Sequence, residues 1–294
     1  MMFKAITFYK YTEIKDPREL MESLTKRCKS LKLLGRILIA YEGINGGVSG
    51  EKENIEKFKE RLKERSEFKD ITFREQFFEN QAYHKLVIRV RDEVVVFNNK
   101  VDLNNKGNDI TPKELKRLLD KKEEIVLLDA RNDYEYKVGK FKNARVLNIK
   151  NFREFPSKLD EIKNLKDKKI VMYCTGGIRC EKSSAFLKEQ GFKDVNKLKG
   201  GIIDFINEYP KTYFEGALFV FNDKLAFSSG SPITKCDHCQ EKSDIMINCH
   251  NLDCDKLFIC CDNCREEFKS CCSISCVNAE RHREMKSLAF LIPS

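Results

Sequence analysis

The chain has 294 residues, 41% hydrophobic and 10% aromatic, so it can close two or three domain cores and is not compositionally disordered, even with 34% of its residues charged. No stretch approaches the roughly 20 apolar residues that cross a bilayer, and Met1 to Lys10 has no apolar h-region or small-residue cleavage site, so a soluble, unexported, cytoplasmic protein without a membrane partner is expected. The net charge of +9 is uneven: residues 1–100 hold 21 Lys plus Arg against 16 acids, residues 101–210 hold 24 against 18, and the remainder hold 10 against 12.

In chain order, Phe3 to Tyr9 reads as a strand, Pro17 to Ser30 as an amphipathic helix and Arg36 to Tyr41 as a second strand. The run Glu42-Gly43-Ile44-Asn45-Gly46-Gly47-Val48-Ser49-Gly50 lacks the order of a dinucleotide fingerprint and the Walker lysine, so a tight turn is expected in preference to a phosphate cradle. Lys52 to Arg65 is helical with Ile55, Phe58 and Leu62 on one stripe, and Ile71 to Arg74 and Lys85 to Val90 read as strands. If Val48 and its neighbours supply a third strand, residues 1–98 resemble a ferredoxin-like α+β sandwich.

The polar residues 99–110 read as a linker. Thr111-Pro112-Lys113-Glu114 is then a capping box that starts a helix through about Lys121. Ile125 to Leu128 and Ile170 to Tyr173 are continuous apolar runs, as for strands buried on both faces, and Glu181 to Gln190 is a helix stopped by Gly191. Residues 111–210 therefore read as an α/β domain with a mainly parallel sheet.

The second buried strand runs directly into Cys174-Thr175-Gly176-Gly177-Ile178-Arg179, with Cys180 at the start of the next helix. Ligands bind beyond the carboxyl ends of such strands. Two glycines let the loop curl so that its N–H groups face the sulfur, and the helix N-terminus and Arg179 add positive charge; all of these favour a thiolate. The competing reading is a small buried residue at a strand end.

Ten of the 13 cysteines fall between Cys236 and Cys276. They pair as Cys236 with Cys239, Cys249 with Cys254, Cys261 with Cys264, and Cys272 with Cys276, the pattern of two all-thiolate structural zinc sites in residues 211–294. Cys260 and Cys271 are spares, although Cys271 could replace Cys272; His238 and His250 are near enough to ligate, and sequential or cross-braced pairing stays open. Eight thiolates and two zinc ions would bring the tail to about −6, a poor general magnet for RNA that is expected to order the chain, shape one edge of the active-site cleft, or present Arg281, His282, Arg283 and Lys286 locally.

Leu127-Leu128-Asp129-Ala130-Arg131, Tyr134-Glu135-Tyr136, Gly139, Ala144, the loop from Cys174 to Arg179 and Lys199-Gly200-Gly201-Ile202 resemble a rhodanese domain. Tyr173 through Ser184, with Glu42-Gly43-Ile44-Asn45-Gly46 and the Cys-rich tail, resembles more narrowly the rhodanese-containing tRNA uridine hydroxylases, which form 5-hydroxyuridine at the wobble position with molecular oxygen. The resemblance implies that Cys174 is the active-site, persulfide-forming nucleophile, that Arg179 stabilises its charge, and that Asp129 and Arg131 form an ion pair bracing the loop. Cys180 either resolves an oxidised Cys174 or packs against the helix start. One departure is Gly139-Lys140-Phe141, where rhodaneses usually have Gly-His-Ile, a change expected to affect packing.

The first expectation is thus a tRNA-modifying oxidoreductase whose basic front and middle domains grip the anticodon arm by counterion release. Tyr41, Phe77, Phe78 and Tyr83 are candidate base-stacking residues, with core packing as the competing reading. No flavin, nicotinamide or haem motif is seen and no DNA partner is expected. Taken alone, the loop would say sulfur transfer, so a persulfide sulfurtransferase is the second reading and a non-catalytic zinc-containing adaptor the third.

Overall fold

The structure is a computed structural model that describes residues 3–210, 212–219, 226–228 and 231–283. Its chain divides into two compact units, the first made of Met1–Val101 with Phe152–Pro156 and the second of the rest. The first unit runs β1 (Phe3–Tyr11), α1 (Pro17–Ser30), β2 (Leu34–Ala40), β3 (Gly43–Glu51), α2 (Lys52–Lys63), β4 (Phe73–Phe78) and β5 (Leu86–Val90). Asp16 caps α1 through the N–H groups of Arg18 and Glu19, and Pro17 supplies a φ already set for a helix. Leu20, Leu24 and Cys28 then form one buried stripe, which packs with Ile55, Phe58 and Leu62 of α2 against Ile6, Phe8, Ile37 and Val48 of the sheet. Strand order β4-β1-β3-β2-β5 places the two longest strands at the centre, and β5 joins β2 in parallel at one edge.

The glycine run is a central strand and not a turn. Residues Gly43–Glu51 pair with β1 on one side and β2 on the other. The glycines serve close packing: a Cβ at Gly46 would lie 3.0 Å from Ile37 and Phe8, and one at Gly50 2.3 Å from Leu33. Gly35 of β2, at φ +148°, faces the Gly47 carbonyl, which a Cβ would meet at 2.1 Å. Tyr41 and Phe77 are exposed, 70% and 55%, so neither belongs to the core; Phe78 and Tyr83 are partly buried.

The second unit opens with β6 (Asn108–Ile110), α3 (Pro112–Asp120), β7 (Val126–Asp129), α4 (Asp133–Val138), β8 (Gly139–Phe141) and β9 (Arg145–Val146). It continues with β10 (Lys169–Tyr173), α5 (Ile178–Glu189), β11 (Asp194–Leu198), α6 (Gly201–Glu208), β12 (Phe214–Phe219) and β13 (Ala226–Ser228). The parallel sheet has the order β6-β11-β10-β7-β9, so β10 is central. The segment 99–110, expected as a linker, ends in the edge strand of this sheet and is tied to α5 before it. Asn108–Ile110 pairs with β11, Gly107 N donates to Ser184 Oγ at 3.0 Å, and Asp102 N donates to the Glu189 carboxylate at 2.7 Å. Its polar composition hid backbone partners that lie some 80 residues away in sequence.

The Cys-rich segment adds a hairpin of β14 (Met246–Asn248) and β15 (Leu257–Ile259), then α7 (Asp262–Glu267) and α8 (Ile274–Val277). Met246 and Ile259 of the hairpin pack with Val138 at the end of α4. Among the described residues no helix is long and apolar enough to cross a membrane.

Both strain and overlap oppose a side chain at Gly35, whereas at Gly191, φ +84°, the nearest atom to an added Cβ is Lys166 Nζ at 3.8 Å. Gly191→Ala is expected to cost about 1 kcal/mol from backbone strain alone, and Gly35→Ala about 2–4 kcal/mol because a backbone carbonyl must also move. Urea unfolding of the two variants checks the difference.

Candidate active site

Cys174 follows the carboxyl end of β10, fully buried, between the ends of β7 and β11. The chain turns there because Gly177 takes the left-handed region at φ +97° and becomes the N-cap of α5. This turn brings Gly177 N to 3.1 Å from Cys174 Sγ, to which it donates. The loop is also clamped from behind: Ile202 N donates to Cys174 O at 3.0 Å and Ile203 N to Thr175 O at 3.2 Å. Gly200 and Gly201 explain that clamp. Both have positive φ, and a Cβ at Gly201 would sit 2.5 Å from Cys174 O.

Burial by itself would raise the Cys174 thiol. It is outweighed by the Cys180 thiol that donates to the sulfur, by the Arg179 charge and by the N–H groups of Arg179 and Gly177, so the pKa is lowered to about 5. Cys180 moves the other way, pushed well up by burial and by the neighbouring thiolate. At neutral pH Cys174 is therefore ionised and Cys180 is its protonated donor.

Arg179 does not simply face the sulfur. Its Nη1 and Nη2 donate to the two carboxylate oxygens of Glu135 at 2.5 and 2.7 Å, and Nη2 lies 3.3 Å from Thr175 Oγ1. Glu135 is fully buried and also accepts from Thr175 Oγ1 at 3.1 Å and from Asn132 N at 3.1 Å. Although burial works against its ionised form, the Arg179 charge and hydrogen bonds hold its pKa below the usual carboxylate range. The sequence had shown Glu135 only as part of a motif; its position three residues after Asn132 signals a capping box, and nothing local reveals the pairing with a residue 44 positions on.

Asp129 and Arg131 form a fully buried ion pair at 2.7 Å, and Arg131 Nη2 also donates to Gly139 O at 2.7 Å, tying β7 to β8. The guanidinium lies over the Tyr173 ring, 5.8 Å from its centroid. The departure at Gly139-Lys140-Phe141 is a packing feature: Phe141 is fully buried, edge-on to Tyr173, Phe205 and Phe214 at centroid distances of 4.9, 4.8 and 5.7 Å. Gly176 and Ile178 are partly buried, and Thr175 is buried.

The tail cysteines converge on two points. Cys236, Cys239, Cys261 and Cys264 form one group, and Cys249, Cys254, Cys272 and Cys276 the other, with all sulfurs of a group within 4.8 Å of one another. The first pair joins the third and the second joins the fourth, a cross-braced arrangement, while Cys260 and Cys271 are buried outside both groups. Sulfur separations of 3.6 Å for Cys239 and Cys261, 3.7 Å for Cys254 and Cys272, and 3.8 Å for Cys272 and Cys276 are far too long for disulfides. They equal the edge, about 3.8 Å, of a tetrahedron of sulfurs each about 2.3 Å from a central ion. Each group thus fits one metal ion.

His238 stacks on Phe268 at 4.0 Å and meets Cys271 O at 3.0 Å, and His282 meets Cys276 O at 2.7 Å, so these rings staple the fold. Arg281 pairs with Asp253 at 2.8 Å and Arg283 with Asp255, both on the exposed surface of the tail. Lys286 lies outside the described residues.

Loop and sheet define a class, an α/β domain with a buried thiolate at the mouth of its parallel sheet. Matches to known families agree: residues 3–94 match the UPF0176 acylphosphatase like domain, residues 111–208 the rhodanese-like domain and residues 215–277 the rhodanase C-terminal region. The tRNA uridine(34) hydroxylase of Cytophaga hutchinsonii is 41% identical over 93% of this chain and 89% of its own. The protein of the same name from Chlamydia felis is 37% identical over 97% and 90%. Among solved structures, the rhodanese-like domain of an Anabaena protein covers 37% of this chain and 78% of its own at 22% identity and TM-score 0.32. The chain belongs to the tRNA uridine(34) hydroxylase family.

Alkylation of Cys174 by iodoacetamide, followed by peptide mass spectrometry, is expected to titrate with a midpoint near 5. In Cys180→Ala, which removes the S–H donor to the thiolate, the midpoint should rise by about one unit or more. A wild-type midpoint near that of a free thiol would contradict the geometry.

Proposed function

We propose that this chain hydroxylates C5 of uridine 34, the wobble base of tRNA, to give 5-hydroxyuridine, with the Cys174 thiolate as the reacting group. The observation that carries this reading is the sulfur's ionised state at the strand end, in a chain whose relatives of similar length are named for modification of that base. A thiolate that adds to C6 of a uracil raises electron density at C5, and it leaves again when the C5 proton is lost. With molecular oxygen as oxidant, one oxygen atom enters the C5–H bond and the other leaves as water, consuming two protons and two electrons from an external reductant. The chain's own part is to keep the sulfur ionised and to fix its direction through Gly177, Cys180 and the pair of Arg179 with Glu135. The wobble base lies in a single-stranded loop, so splaying it toward the thiolate costs about a few kcal/mol or less.

In this reading residues 1–98 and 111–210 grip the anticodon arm and carry the chemistry in the cytoplasm, and residues 211–294 are a metal-held segment. Zinc suits both groups, because four thiolates at tetrahedral spacing match a closed structural site. The tail hairpin packs on α4, the helix that carries Glu135, so ordering the tail also steadies the loop's counter-ion. The same thiolate would serve a persulfide sulfurtransferase, which the loop taken alone favours.

Nucleoside mass spectrometry of tRNA from a deletion strain should show uridine 34 without its added oxygen. Wild-type protein should restore it and Cys174→Ala should not, with tRNA binding retained; a missing thiolation in place of the oxygen would establish sulfur transfer instead. Metal analysis should find about two zinc ions per chain. Stripping them with a chelator should open residues 231–283 to protease, since bound metal supplies most of the folding free energy of such a segment; protease resistance after full removal would show that the fold does not need metal.

A further inference from the structure

The first unit carries an open cleft of about 680 Å³ between the C-terminal end of α1 and the edge strand β5. Its floor is apolar, built from Leu33, Leu34, Leu86 and Ile88, and its rim holds Lys29, Lys32 and Arg89 with no acidic residue. All three cations are exposed. Lys29, Lys32 and Arg89 make no ion pair among the described residues, so their charge is not neutralised within the cleft. Lys29 suits the negative end of α1, but Lys32 and Arg89 stand on other segments and need a different explanation.

The backbone adds donors. Gly35 N donates to Lys85 O, and Arg91 N donates to Ile39 O, so the odd-numbered residues of β5 face β2 and the amides of Leu86 and Ile88 point away from the sheet, along the cleft. Outward amides flanked by three unpaired cations form a set of donors for oxyanions, arranged in a row.

We infer that the cleft between α1 and β5 is a docking surface for the phosphodiester backbone of the tRNA substrate, held by Lys29, Lys32, Arg89 and the outward edge of β5. The inference rests on the reading that the chain acts on tRNA, and it names where the first unit holds it. Charge complementarity favours a nucleic-acid backbone over a strand from another protein. An added strand needs the edge amides but gains nothing from a ring of like charges, which sheet edges otherwise use to repel such pairing.

The test uses the full chain and an unmodified tRNA transcript with uridine at position 34. Binding is measured from about 50 to 300 mM salt for wild type, for K29Q/K32Q/R89Q, and for the charge-keeping K29R/K32R/R89K. Each lost phosphate contact lowers the slope of log affinity against log salt by about 0.7 to 0.9. The glutamine variant should therefore lose about 2 to 3 units of slope and bind at least tenfold more weakly at low salt, with melting and Cys174 alkylation unchanged, while the charge-keeping variant binds like wild type. Equal slope and affinity in the glutamine variant would overturn the inference and leave the tRNA reading intact. Absence of tRNA binding by the wild-type chain would overturn both. A glutamine variant that binds tRNA normally but changes association state in sedimentation would overturn it in favour of a second copy of the chain on the β5 edge.

Discussion

The carboxylate of Glu135 and the guanidinium of Arg179 meet in a bidentate contact out of water, and the reactive loop takes its shape around that contact. Burying either charge alone would cost several kcal/mol. Together, with Thr175 Oγ1 donating to the same carboxylate, they satisfy each other and fix the start of α5 relative to α4. The sulfur of Cys174 then lies where Gly177 N and the Cys180 thiol can donate to it. A free guanidinium beside the thiolate would stabilise it more strongly by charge, yet it would form an ion pair that quenches the nucleophile. With the guanidinium shared with Glu135, the thiolate is stabilised by the Cys180 thiol and the N–H groups of Arg179 and Gly177 as well as by the Arg179 charge.

The rest of the second unit repeats the pattern of one buried charge held by another. Asp129 and Arg131 lock β7 to β8, and Lys197 of β11 reaches Asp109 of β6 and Glu181 of α5, the latter at 3.1 Å. The Lys197 contacts join segments distant in sequence, whereas Asp129 and Arg131, two residues apart, reach β8 through the Gly139 carbonyl; all lie toward the carboxyl ends of the sheet, where a parallel fold leaves its loops. Rigidity is thereby concentrated around one short loop. The tail contributes from outside by packing β14 and β15 on the end of α4, so two thiolate cages some 100 residues downstream stand behind the helix that positions Glu135.

The first unit reaches a stable sheet by a different route. Its central strand is rich in glycine, a residue that weakens isolated strands, and it is stable because neighbouring side chains occupy the space where Cβ atoms would be. Phe8 and Ile37 fill over Gly46, and Leu33 fills over Gly50. The local signal of such a strand is that of a turn. Only the pairing of β1 and β2 on either side turns it into the middle of a sheet.

The sequence by itself determined whatever depends on local periodicity or fixed spacing. Helix α1 begins at Pro17 and ends at Ser30 as its apolar stripe and Asp16 cap require, β7 and β10 follow their apolar runs, and the reactive Cys174 stands out because two glycines and an arginine sit within five residues of it. Four cysteine pairs likewise announce metal ligands. Tertiary structure alone decided how those pairs interleave, that the glycine run is a strand, that residues 108–110 complete the parallel sheet, and that Arg179 is bound to Glu135. The physical reason is common to all four: each rests on contacts between residues far apart along the chain, and neither helical periodicity, capping chemistry nor ligand spacing encodes which distant partner will close the distance.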